Sequence, residues 1–96
     1  MIDTTHFPGA KKYWHMGKIH DWSEHQIHVM SHVLHYGSSV FEGIRAYETS
    51  DGPAIFRLRE HIERLFVSAR AMNMEVPYTL EEIEDACLLM VRENQL

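Results

Sequence analysis

The most conspicuous residue type is histidine, with eight in 96 residues and seven of them before position 36. His28, His32 and His35 are spaced four and three apart, so a helix would stack them on one face. A zinc site can be built from such a stack. The run His28-Val-Met-Ser-His32 has no glutamate after its first histidine, so the metalloprotease arrangement is missing. Packing and hydrogen-bonding histidines in a loop are the plainer reading, and the residues favour it over a metal. Arg64 is the second candidate, with Glu60 one helical turn before it. A surface ion pair of that kind contributes about 0.3–0.5 kcal/mol. A guanidinium also presents paired donors that match phosphate oxygens, so the alternative is a phosphate clamp. The residues alone favour the ion pair.

Phe41, Gly43 and Arg45 form the third group. A glycine inside a strand costs stability, so a bulge or the close approach of a ligand is expected there. If these residues lie on one strand face, that face is either a ligand-facing wall or an ordinary half-exposed sheet surface. Tyr36 precedes Gly37 at a turn and reads as structural when taken alone. Cys87 lies on an apolar helix face and reads as a small hydrophobe. No glycine-rich phosphate loop is present, and Ser31-His32 lacks the third member of a triad.

These residues need elements to position them. Lys12 to Met16 and Lys18 to Trp22 flank Gly17, which suits a β-hairpin, although Met16-Gly17 is a weaker turn signal than Asn-Gly. Residues 1 to 11 read as an irregular arm, and 23 to 36 are ambiguous between loop and short helix, ended by Gly37. Val40 to Tyr47 is the best strand candidate. Period-two geometry places Phe41, Gly43, Arg45 and Tyr47 on one face and Val40, Glu42, Ile44 and Ala46 on the other. Ser50-Asp-Gly-Pro53 is a strong turn, and Ala54 to Leu58 reads as the returning strand.

Two helices follow. The first spans about Arg59 to Met72, with Ile62, Leu65, Phe66, Ala69 and Met72 as its apolar stripe. Pro77 bars a continuous helix. Thr79 and Glu82 then form a capping box for the second helix, with Tyr78 and Ile83 as the candidate staple. Leu80, Ile83, Cys87 and Met90 form its buried stripe. Strands before helices is an α+β order. The expected fold is a small antiparallel sheet of about four strands with two helices on one face. No glycine cap or closing strand precedes Leu96, which suggests a partial chain.

Composition narrows the function classes. The formal charge of -5 argues against a nucleic-acid partner. No apolar run reaches membrane-spanning length, so no membrane partner is expected. A single cysteine rules out an internal disulfide and suits a reducing cytoplasm. The N-terminal residues do not have the pattern of a signal peptide.

Taken together, the residues resemble a known family. His28 to Tyr47, HVMSHVLHYGSSVFEGIRAY, resembles the signature of branched-chain amino acid aminotransferases, which are fold-type IV pyridoxal-phosphate enzymes. Ile55 to Leu65, IFRLREHIERL, followed by Ser68-Ala69, resembles the family's next stretch. The likeness runs from about Tyr13 to Leu96 and includes Pro77-Tyr-Thr-Leu-Glu-Glu82. The family's hairpin usually carries asparagine where this chain has Met16.

The resemblance implies roles that the residues alone left open. The arginine matching Arg64 holds the cofactor phosphate. The residues matching Phe41, Gly43 and Arg45 line or support the substrate pocket. The tyrosine matching Tyr36 reaches into the active site of a partner subunit, which implies a homodimer or higher oligomer. The histidines belong to the motif without a metal. Residues 1–96 would then be the N-terminal small domain, and the C-terminal cofactor-binding domain would lie outside the chain. The Schiff-base lysine comes from that second domain, and Lys11, Lys12 and Lys18 all precede the motifs. No catalytic residue is therefore assigned here, and the 96 residues alone are expected to be inactive. The implied reaction of the intact cytoplasmic enzyme moves an amino group between leucine, isoleucine or valine and 2-oxoglutarate, with pyridoxal 5'-phosphate as cofactor. The alternatives are a D-amino acid aminotransferase or aminodeoxychorismate lyase relative, and a non-catalytic dimerisation or binding module.

Overall fold

A computed structural model describes residues 9–24 and 26–95, so most of the expected N-terminal arm lies outside the described residues. Four strands and three helices follow in the order β1 (Lys12–His15), β2 (Lys18–Asp21), α1 (His32–Tyr36), β3 (Ala46–Thr49), β4 (Gly52–Ile55), α2 (Leu58–Ala71) and α3 (Leu80–Glu93). The order is α+β, with four strands as expected. They form two separate antiparallel hairpins, β1–β2 and β3–β4.

The first hairpin turns through Met16 and Gly17, both at positive φ (51° and 82°). Two-residue turns with positive φ at both centres match the twist of the flanking strands, which explains why so short a loop closes here. Trp14 pairs with Ile19 and Tyr13 with His20, and the Tyr13 and His20 rings stack with centroids 5.1 Å apart. Lys12 and Asp21 are register partners and form an ion pair. The second hairpin sets Tyr47 opposite Ala54 and Thr49 opposite Gly52. The returning strand therefore begins at Gly52, two residues earlier than the turn signal indicates.

Helix α2 ends in a Schellman motif. Asn73 adopts φ 56°, its N–H donates to the Arg70 carbonyl at 3.0 Å, and the Met74 N–H donates to the Ala69 carbonyl at 2.8 Å. Asparagine takes the left-handed position that glycine more often fills. Helix α3 opens with the expected capping box. The Glu82 N–H donates to Thr79 Oγ1 at 3.1 Å, and the Thr79 N–H donates to Glu82 Oε1 at 2.9 Å. Tyr78, the candidate staple residue, sets its ring edge-on to Trp14 with centroids 5.0 Å apart, which joins the start of α3 to the first hairpin.

Helix α3 packs against both α2 and β1. Arg59 on α2 donates to Glu84 on α3 at 3.0 Å. At the other end of α3, Asn94 Oδ1 accepts the backbone N–H groups of Lys11 and Lys12 at 2.7 and 2.8 Å. Its Nδ2 donates to the Lys12 carbonyl at 3.1 Å. The buried apolar residues among those described are Ile62, Ala69 and Ala86, all on the two long helices. The radius of gyration is 14.7 Å, against about 12.5 Å for a compact domain of this length. The core is thin, and much apolar surface remains uncovered.

Candidate functional site

The stretch read as a strand over Val40 to Tyr47 is extended only from Ala46 onward, and residues 37–45 form an irregular connection. It leaves α1 through Gly37, which sits at φ 66° and donates its N–H to the Val33 carbonyl. It joins the β3–β4 ladder where the Phe56 N–H donates to the Arg45 carbonyl at 2.9 Å. The alternation survives the loss of the strand over residues 40–45: Phe41, Gly43 and Arg45 are exposed, whereas Val40, Glu42 and Ile44 are more buried. Glu42 is only 7% exposed, and its carboxylate is pulled onto α2.

That carboxylate is the centre of the site. Arg64 donates from Nε to Glu42 Oε2 at 2.8 Å and from Nη2 to Oε1 at 2.7 Å. His61, one turn earlier on α2, approaches Oε1 through Nδ1 at 2.8 Å. Hydrogen bonds from Arg64 first, and then from His61, hold the Glu42 carboxyl down to about 2. The same pairing raises the affinity of the Arg64 guanidinium for its proton. The expected Glu60–Arg64 pair does not form. Glu60 faces Arg57 at 3.6 Å instead. Arg57, Glu60, His61 and Arg64 together line a surface depression of about 260 Å³.

Arg64 thus meets the 41–45 segment through Glu42, while the other candidates sit apart from it. Phe41 is 86% exposed and Tyr36 is 76% exposed. The Tyr36 ring lies over His32 with centroids 4.5 Å apart. A Cβ added at Gly43 would meet nothing within 4 Å and the residue has no positive φ, so no neighbour among the described residues demands glycine there. Arg45 borders an apolar cavity of about 310 Å³ beneath β3–β4, walled by Ile55, Cys87 and Met90. Burial raises the Cys87 pKa, as suits a packing thiol. The three histidines of the early cluster engage separate local groups. His28 Nδ1 accepts the Met30 N–H at 3.0 Å, His32 bonds Ser38, and His35 Nε2 meets the Val29 carbonyl at 2.6 Å.

Sequence reasoning missed Glu42 and His61. The available signal was an acidic residue inside the apolar run Val40 to Ile44, together with His61 and Arg64 at same-face helical spacing.

Comparison with known proteins gives this geometry a context. The family model described as amino-transferase class IV matches residues 39–96. The branched-chain-amino-acid aminotransferase of Pseudomonas aeruginosa is 52% identical over 83 residues, covering 86% of this chain and 27% of that protein. The Escherichia coli K12 enzyme of the same name is 46% identical over 87 residues, covering 91% and 28%. Among solved structures, a T.th. branched-chain amino acid aminotransferase complexed with N-(5'-phosphopyridoxyl)-L-glutamate superposes with a TM-score of 0.87. It shares 51% identity over 90% of this chain and 29% of its own. An Escherichia coli branched-chain amino acid aminotransferase also gives 0.87, at 45% identity over 91% of this chain and 29% of its own. The chain spans under a third of the length of these relatives. The match from residue 39 onward takes in Glu42, His61 and Arg64 alike, and the chain belongs to the class IV aminotransferase family.

Proposed function

We propose that residues 1–96 are the N-terminal small domain of a pyridoxal-phosphate-dependent branched-chain aminotransferase. The intact protein would transfer an amino group between leucine, isoleucine or valine and 2-oxoglutarate. The observation that carries this reading is the attachment of Arg64 to the 41–45 segment through Glu42. It places a guanidinium beside the segment assigned to the substrate pocket.

The donor set suits a phosphate. Glu42 occupies Nε and one Nη2 hydrogen of Arg64, which leaves Nη1 and the second Nη2 hydrogen as a fork for anionic oxygens. The Arg64 side chain is 66% exposed, so the fork is reachable. Pyridoxal phosphate, when bound, supplies the electron sink for chemistry at the substrate α-carbon. This chain's part is to bind and orient. Arg64 contributes cofactor affinity, Phe41 apolar complementarity to a branched side chain, and Gly43 and Arg45 the supporting wall. All three lysines precede residue 39, where the family match begins, so the covalent anchor is assigned to a segment outside these 96 residues.

The relatives support the substrate class. Another T.th. aminotransferase structure is complexed with 4-methylvaleric acid, a branched acid with the carbon skeleton of leucine. Exposure of Tyr36 suits its assignment to the active site of a second protomer in a homodimer or larger assembly. Among the described residues no helix is long and apolar enough to cross a membrane. The lone Cys87 thiol suits a reducing cytoplasm.

The test is an assay of the full-length product of the gene encoding this chain, with L-leucine and 2-oxoglutarate and with D-alanine in parallel. Glutamate formation from L-leucine alone is the expected result. Turnover of D-alanine alone would move the protein to the D-amino acid relatives. Binding without turnover of any amino acid would leave a non-catalytic module.

A further inference from the structure

We propose that Glu42 is a positioning residue for Arg64, fixing the guanidinium so that its remaining donors meet the phosphate of pyridoxal 5'-phosphate. The inference rests on the reading of Arg64 as a phosphate clamp given above.

The asymmetry of the pair points to this role. Glu42 is 7% exposed and Arg64 is 66% exposed, so one partner is anchored and the other reaches outward. The anchored carboxylate is itself held, because His61 approaches the same Oε1 that receives Arg64 Nη2. Two bonds to one guanidinium edge, at 2.8 and 2.7 Å, fix its plane as well as its position. An arginine on a helix surface otherwise loses rotamer freedom when it captures an anion. Here that ordering precedes the ligand. Nη1 has no partner among the described residues, and it lies on the edge that Glu42 leaves open. A carboxylate beside a phosphate clamp subtracts positive charge, so an arrangement built for attraction alone would omit it. Its presence next to Arg64 is explained by orientation.

The experiment titrates the cofactor-free, full-length gene product with pyridoxal 5'-phosphate and with pyridoxal, following bound-ligand absorbance. Arg64→Gln sets the reference and should weaken binding of the phosphorylated ligand while sparing pyridoxal. Glu42→Gln should do the same, by about tenfold. The double variant should bind no worse than Arg64→Gln alone. Unchanged pyridoxal binding reports an intact fold. If the amide variant folds poorly, Glu42→Asp keeps the charge and withdraws it by one methylene. It should give a smaller loss, again confined to the phosphorylated ligand. Equal loss for both ligands, no loss, or tighter phosphate binding in the Glu42 variants would overturn the positioning role and leave a plain ion pair. No selective loss in Arg64→Gln would overturn the clamp itself, and this inference with it.

Discussion

Glu42 receives both the Nε and Nη2 protons of Arg64, a residue 22 positions further along the chain. The bond joins an irregular connection to a helix and gives the acid limb of stability a definite sign. The carboxyl titrates at about 2 in the folded chain, against an ordinary 4.5. Between those values the unfolded chain binds more protons, so stability rises with pH across that window. The contribution is complete above 4.5 and is lost as the pH falls toward 2. Carbon-detected NMR titration of the Glu42 carboxyl should give a midpoint near 2, and Arg64→Gln should move it upward.

Asn94 makes four hydrogen bonds, to the N–H groups of Lys11 and Lys12 and to the carbonyls of Lys12 and Met90. Asn94→Ala removes them and should cost on the order of 2 kcal/mol, discounted for partial exposure. Hydrogen exchange at the Lys11 and Lys12 amides is the direct measure, and both should exchange faster in the variant.

Met16 sits at φ 51° immediately before Gly17 at φ 82°. A methionine pays for its left-handed backbone, at a cost of about 1 kcal/mol, whereas asparagine tolerates it. Met16→Asn should therefore stabilise the first hairpin by up to about 1 kcal/mol. A rise in the urea midpoint with an unchanged slope would show it.

The 96-residue chain on its own should show no half-reaction with leucine when the cofactor's absorption is followed, since the resemblance puts the Schiff-base lysine in a second domain and not at Lys11, Lys12 or Lys18. It should also self-associate. Ile27, Val29, Met30, Leu34 and Phe41 are all exposed, and uncovered apolar surface of that kind favours association. Sedimentation velocity across a concentration series should show a rising weight-average mass. A monodisperse monomer at high concentration would contradict this.

The two long helices were legible in the sequence because their signals are local. The Thr79–Glu82 box and the stripe through Ile62 and Ala69 need no knowledge of the rest of the chain. The hairpins were legible for the same reason, through Gly17 and Ser50 to Pro53. The segment 40–45 was not. Its inside–outside alternation is the one expected of a strand, yet it forms no ladder, and its inward carboxylate pairs with a side chain 22 positions away. No short window of the sequence contains both partners of that bond. The candidate site followed the same division. Arg64 was visible as a residue type, whereas its tie to Glu42 and His61 emerged only from the fold.

The bridge between β1 and the end of α3 spans 82 residues of sequence. During synthesis the first hairpin leaves the ribosome early, but Tyr78 and Asn94, which hold it to α3, follow only near the end of these residues. Joining ends so far apart costs more entropy than closing a ten-residue loop, by about 2 kcal/mol at roughly 0.6 kcal/mol per doubling. Assembly should therefore run from the helical pair outward, with the earliest-made strands the last to settle.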